Sequence, residues 1–387
     1  MDQTFLIATV WIFLAFMASL ISIRLGISLA LIEIIVGVVA GNVIHLQITD
    51  WVNFLASLGA VILTFLAGAE IDPASLKKNL KQSVVIGFLS FLLPCVCGML
   101  VAYYLLGWDV NASKITGIAL STTSVAVVYA VMVESRLSST SFGQSILAAC
   151  FITDLGTVLA LGLLFTGFSY KLLIFAGAVI VVCFAGIPLA KRIFERYSGK
   201  VSEPEIKFVL LILVLLGYLA VYSGSEAVLP AYIIGLAMAG FFLQYKETLH
   251  KMRAIAFVAF TPFYFIKAGS LVSLKTLTVT FSLIVILLLV KVGAKFIGVL
   301  PATKFFNFKR REGIYTTLLM STGLTFGTIS ALYGITNKYI NSSQYSVIVT
   351  VVILSAVIPT LIAQKFFFPK KVLQEQVLQG GHDDGSR

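Results

Sequence analysis

Charge is what this sequence has least of. Among 387 residues there are 28 Lys or Arg and 17 Asp or Glu, so 12% of the chain is charged. A soluble domain carries about 25%. That scarcity excludes an ordinary soluble domain before any motif is read. Histidine is rare as well: His45, His250 and His382 are scattered and form no ligand cluster. The four cysteines, Cys95, Cys97, Cys150 and Cys183, all lie in apolar segments. Cys95 and Cys97, one residue apart in a helix, point to different faces, which excludes a disulfide framework or a cysteine metal site. Long polar stretches are missing too, so the connections are too short to hold a separate soluble domain. The tail from Lys365 has no strand pattern and no nucleotide-binding glycine fingerprint. No arrangement of nucleophile, base and oxyanion donors points to an enzyme. No cofactor is indicated either.

What remains is apolar length. Hydrophobic residues make up 59% of the chain and mean hydropathy is +1.01. Repeated runs of about 20 apolar residues predict membrane-spanning helices rather than the short alternating strands of a barrel. The fold class is therefore an all-α polytopic membrane protein. Thirteen candidate spans run Phe5–Ile23, Ser28–Ile44, Trp51–Ala69, Val84–Leu106, Ile115–Val133, Phe142–Phe165, Leu172–Leu189, Phe208–Tyr222, Val228–Leu243, Leu249–Gly269, Leu277–Thr303, Ile314–Tyr333 and Tyr345–Gln364. The first lacks a basic lead-in and a cleavage site and reads as retained. Residues 1–364 form one transmembrane domain and 365–387 a short tail.

The net charge of +11 lies in alternate short loops. One set holds Arg24, Lys77, Lys78, Lys81, Arg136, Lys191, Arg192, Arg196, Lys200, Lys207, Lys246, Lys251, Arg253, Lys304, Lys309, Arg310 and Arg311, and the tail adds Lys365, Lys370 and Lys371. The opposite loops hold Lys114, Lys171, Lys275 and Lys338. The bias places the first set and the C-terminus in the cytoplasm and the N-terminus outside. It accounts for the positive charge without nucleic acid as a partner.

One span carries a charge that a bilayer does not tolerate without use. Asp154 sits near the middle of FGQSILAACFITDLGTVLALGLLF, preceded by Thr153. A carboxylate there costs roughly 2.5 kcal/mol or more, and polar glue between helices is normally Ser, Thr, Asn or Gln. Two other spans are rich in hydroxyls and glycine at mid-length. The fifth has Thr122, Thr123 and Ser124; the twelfth has Ser321, Thr322, Gly323 and Thr325. Such breaks supply carbonyl and hydroxyl oxygens to a cation and are tolerated only where they line a cavity or are covered by protein. Six spans precede the seventh and six follow it, and the breaks fall in the next-to-last span of each half. That is the arithmetic of two inverted six-helix repeats with two broken crossing helices.

The eleventh span holds Lys291 and Lys295, four apart and on one face. One of them facing Asp154 would make an ion pair broken when a cation or proton arrives. The remaining acids read as peripheral. Glu33 suits helix packing, a partner subunit or transport. Glu70 and Asp72 suit a structural turn before Pro73, and Glu134 and Glu226 suit solvated span ends. Lys267 suits the membrane interface.

These pieces are similar to a known family. RLGISLALIEIIVGVVAGN, FLAGAEIDPASLKK, TSVAVVYAVMVE and FITDLGTVLA, with FYFIKAGSLVSL and the lysine of the eleventh span, resemble the monovalent cation:proton antiporter-2 family of bacterial sodium/proton and potassium/proton exchangers. The resemblance implies exchange of Na+ or K+ for H+ at Asp154, with Thr153, Thr123 and Ser124 at the site and Thr122, Ser321, Thr322, Gly323 and Thr325 lining the breaks. It places the family's lysine on Lys295, with Lys291 as the alternative. It implies an elevator-type homodimer in a bacterial inner membrane. Core helices would be about 84–165 and 277–364, scaffold helices about 5–69 and 208–269, and the linker 172–189. Thr153 stands where the two-carboxylate members hold a second acid, and Thr325 where glutathione-gated members hold glutamate. A cation channel or a sodium-coupled symporter on a related fold are the alternatives. The first needs no buried titratable group, and the second needs a larger polar cavity than the sequence offers.

Overall fold

Asp72 and Pro73 set the first sharp boundary in the chain: Asp72 Oδ1 accepts from Ala74 N at 3.1 Å, and proline opens the next helix. Punctuation of this kind divides a chain that, in the computed structural model, is helical throughout the described residues, 2–165, 170–223, 228–370 and 372. Glu226, Lys371 and His382 lie outside them. The elements are α1 (Asp2–Leu25), α2 (Leu29–Val43), α3 (Asp50–Ala69), α4 (Pro73–Leu100), α5 (Val110–Ser121), α6 (Val125–Glu134) and α7 (Ser141–Phe165). There follow α8 (Tyr170–Val181), α9 (Ile187–Tyr197), α10 (Pro204–Ser223), α11 (Val228–Phe242), α12 (Lys246–Ile255) and α13 (Thr261–Ser270). The last are α14 (Leu274–Val279), α15 (Phe281–Phe305), α16 (Arg310–Met320), α17 (Thr325–Thr336) and α18 (Ser342–Phe366).

Ten helical stretches among the described residues are long and apolar enough to cross a membrane, and Leu29–Val43 and Pro230–Phe242 are shorter apolar helices. The stretch Leu249–Gly269, expected as one span, is α12 and α13 joined by a π-type turn, Ala256–Phe260. The helix runs unbroken from Lys246 to Ser270 through that turn, and His250, Lys251 and Arg253 make its first part polar. α4 starts eleven residues before the expected Val84, because nothing between Pro73 and Val84 breaks a helix. Two more π-type turns, Val101–Leu105 and Val182–Gly186, follow α4 and join α8 to α9.

Helices pack in two groups. α4 lies along α5, α7 and α15, while α18 packs on α15, α16 and α17, and α17 on α5. In the other group α2 lies along α13, α3 along α11 and α13, and α1 on α2. The groups meet where α6 touches α2 and α3, α18 touches α2, and α7 touches α11. The candidate site lies inside the first group, near that seam.

Candidate cation and proton site

Asp154 is 2% exposed, and its Oδ1 has no hydrogen-bond partner. Its neighbour Thr153 is fully buried and donates from Oγ1 to Ala149 O at 3.0 Å and Gly87 O at 3.2 Å. The second bond ties α7 to α4. It needs glycine at position 87, where a Cβ would stand 2.6 Å from Ala149 O and 2.7 Å from Ile152 Cβ. The small residue is what lets the two backbones come close.

Both expected breaks are present as backbone. α5 stops at Ser121 and α6 starts at Val125; α16 stops at Met320 and α17 starts at Thr325. Local chemistry ends the first halves. Ser121 Oγ and Thr122 Oγ1 donate back to Ile118 O at 2.7 Å and Ala119 O at 2.8 Å. Ser321 Oγ and Thr322 Oγ1 do the same to Thr317 O and Leu319 O, both at 2.8 Å. Side-chain hydroxyls thus occupy carbonyls at the end of each half-helix. The two breaks then meet. Ser124 N donates to Thr322 O at 3.1 Å, Thr123 Oγ1 donates to Met320 O at 2.7 Å, and Ser124 Oγ lies 3.2 Å from Thr325 Oγ1.

Lys291 and Lys295 are both fully buried. Lys295 Nζ donates to Ser90 Oγ at 2.7 Å, Ser121 O at 2.9 Å and Thr123 Oγ1 at 2.9 Å. Lys291 Nζ donates to Thr122 O at 3.1 Å, and a Cβ on Gly323 would collide with it. The ion pair expected between a lysine and Asp154 is not formed: none of the ion pairs among the described residues includes Asp154. Lys295 Nζ goes instead to the carbonyl end of α5, the negative end of a half-helix whose acceptors the break has freed.

Two participants were not foreseen. Ser90 is a lone hydroxyl in the apolar run VVIGFLSFLLP, and Pro94, four residues on, lacks the N–H that would bond the Ser90 carbonyl. That spacing is the signal that could have marked it. Tyr264 on α13 places its hydroxyl 2.7 Å from Thr325 Oγ1, linking the two helix groups. An aromatic among FYF carries no comparable signal. Glu70 ends α3 as expected but also does more. Its carboxylate takes Arg253 in an ion pair and the Tyr129 hydroxyl, and its carbonyl accepts from Gln144 Nε2 at 3.2 Å. Glu134 is exposed at its helix end, as expected, and its carboxylate is bonded as well. Its Oε2 accepts from Leu29 N at 2.8 Å and its Oε1 from Ser28 Oγ at 3.1 Å, because the first N–H groups of α2 require acceptors.

A cavity of about 770 Å³ opens between α3, α10, α13 and α17, with Phe54, Val61, Leu213, Lys267 and Ile329 among its walls. Tyr264 and Thr325 line it; Asp154 does not. Lys267 therefore faces the cavity as well as ending α13.

A buried carboxylate oxygen without a partner, on a helix packed against the interrupted ones, is of the donor type that hard cations and protons take. Membrane helices around such a site define an ion-coupled transporter, not an enzyme. The chain belongs to the family described as sodium/hydrogen exchanger, transmembrane, whose model matches residues 12–368. It is 27% identical to a probable Na(+)/H(+) antiporter 3 of Methanocaldococcus jannaschii over 89% of this chain and 90% of that one. It is 28% identical to a Na(+)/H(+) antiporter of Enterococcus hirae over 91% and 94%, and 24% identical to the Na(+)/H(+)-K(+) antiporter GerN of Bacillus cereus over 92% and 94%. The fold is shared with the sodium proton antiporter MjNhaP1 of Methanocaldococcus jannaschii solved at pH 8, at a TM-score of 0.71 and 16% identity, over 95% of this chain and all of that one.

Proposed function

We propose that this chain exchanges Na+ or K+ for H+ by alternate occupancy of Asp154. The observation that carries the reading is the unpartnered, buried Asp154 oxygen on α7, the helix that packs against all four halves of the two interrupted helices. An ionised carboxylate away from water and without a donor costs several kcal/mol, so the group is stable there with a proton or a cation on it. It does not usefully hold both. Thr153, Thr123 and Ser124 supply further oxygens, and the hydroxyls of the breaks complete the shell. Lys295 holds the carbonyl end of α5 and biases the site against a cation through its charge. With Thr153 in place of a second acid, we infer one cation per proton.

In this reading the chain is an antiporter-2 type member of its family, with thirteen spans in two inverted repeats. It sits in a bacterial plasma membrane with its N-terminus outside and its C-terminus in the cytoplasm. The helices around Asp154 slide as one body against α1–α3 and α10–α13, and the scaffold side forms a homodimer. The cavity is the outer approach, and the Tyr264–Thr325 contact in its wall joins the two helix groups. A buried titratable carboxyl, which a channel does not need, favours an exchanger.

Reconstitution decides it. Proteoliposomes containing the protein should show proton movement driven by Na+ or K+ gradients, and Asp154→Asn should remove it while the variant remains folded. Exchange persisting in Asp154→Asn would overturn the assignment.

A further inference from the structure

The Asp154 mechanism leaves a second buried carboxyl unused. Glu33 on α2 is 1% exposed, and neither Oε1 nor Oε2 has a hydrogen-bond partner. It is covered by the chain's own helices, so it is not a contact for a partner subunit. α2 packs against α1, α6, α13 and α18. The ionisable groups those helices carry are Asp2 and Arg24 on α1, Tyr129 and Glu134 on α6, Tyr264 and Lys267 on α13, and Tyr345 and Lys365 on α18; Tyr129 is bonded to Glu70, and Tyr264 and Lys267 line the cavity. None makes an ion pair with Glu33 among the described residues. Of these, Glu134 is the one bonded to the start of α2 itself.

Glu134 holds the end of the same helix. Its two oxygens take Leu29 N and Ser28 Oγ, while Ser28 N donates to Gln364 Oε1 of α18 at 3.3 Å. Leu29 is one turn before Glu33, about 6 Å along the axis. Two carboxyls, one on each helix group, therefore face the same short length of seam. The lower one has donors. The upper one has none.

We propose that Glu33 is a second proton-binding carboxyl of this protein, and that its proton keeps the seam between α2 and α6 closed. A bare carboxylate in that position lacks both water and a donor and lies near a like charge. Glu33 therefore gives up its proton, to water, only when the seam opens enough to hydrate it. Once ionised, it repels Glu134 and holds the seam open. Acid closes the seam and alkali frees it. The proton site stands on burial and missing partners alone; the effect on transport rests on the exchange reading.

Infrared spectroscopy of the full chain in nanodiscs separates the two. In an Asp154→Asn background, which removes the other carboxyl at issue and needs no transport, a protonated-carboxyl band should be present at neutral pH and should disappear on raising pH. Glu33→Gln should abolish that band. Glu134→Gln, which removes the neighbouring charge, should displace the pH at which it disappears; this second variant serves if Glu33→Gln does not fold. A spectrum unchanged by Glu33→Gln, or a band indifferent to Glu134→Gln, overturns the proton site. For transport, Glu33→Gln in an otherwise natural chain mimics the protonated state. It should match the parent at acid pH, fall about tenfold below it at alkaline pH, and be no less thermostable. A pH profile identical to the parent's would overturn the gating role.

Discussion

Lys295 Nζ donates to Ser90 Oγ at 2.7 Å, so this buried charge is anchored on α4 and not on Asp154. In the proposed exchange, a lysine held this way remains in place whichever ion Asp154 carries. Ser90→Ala should lower stability by about 1.5–3 kcal/mol, the range for a hydrogen bond to a charged group. It should leave exchange measurable, because Ser121 O and Thr123 Oγ1 remain as acceptors. Lys295→Met removes all three bonds and should reduce exchange at least about tenfold. Thermal unfolding in detergent and flux in proteoliposomes read the two effects.

Gly87 sets the approach of α4 to α7. Gly87→Ala pushes a methyl against Ala149 O, and overpacking of this kind costs about 1–3 kcal/mol. The bond from Thr153 Oγ1 to Gly87 O should lengthen with it. Lower melting temperature together with weaker apparent cation affinity is the expected result, measured by thermal shift and by the cation dependence of exchange.

Tyr264 and Thr325 join the two helix groups in the wall of the cavity. Tyr264→Phe keeps the ring and deletes one hydrogen bond worth about 1 kcal/mol, while Thr325 retains Ser124. Exchange rate should change about fivefold with little change in melting temperature. A cysteine at Ser124 should also become more reactive to a charged thiol reagent added from the cavity side.

Arg253 pairs with Glu70, whose side chain is 6% exposed. Arg253→Ala leaves that carboxylate without its cation and should destabilise the protein by about 3–5 kcal/mol. Adding Glu70→Gln should recover part of the loss. A double-mutant cycle on thermal unfolding measures the coupling.

The parts of this site that the sequence made legible are those with a cost attached. Asp154, Lys291 and Lys295 stand out because charge is expensive in an apolar run. The breaks stand out because Thr122-Thr123-Ser124 and Ser321-Thr322-Gly323 interrupt one. Missing were partners chosen by distance in space rather than in sequence. Ser90 meets a lysine 205 residues away, and Glu134 caps a helix 105 residues before it. The expected Asp154–lysine pair failed for the same reason: sequence showed the lysine's charge but not that α5 would present its carbonyls closer. The extra turns of α4 depend on end effects that a count of apolar residues does not register.

The π-type turn at Ala256–Phe260 gives the chain a fixed phase slip. Arg253 and Tyr264 are eleven residues apart, a spacing that would put both on one stripe of an uninterrupted helix. One inserted residue rotates everything after it by about 100°. Arg253 therefore reaches Glu70 while Tyr264 reaches Thr325, so a single rod acts as a crank with two differently aimed arms. Rewinding that turn as regular α-helix, with no residue removed, would swing the tyrosine off its mark without altering any side chain in the site.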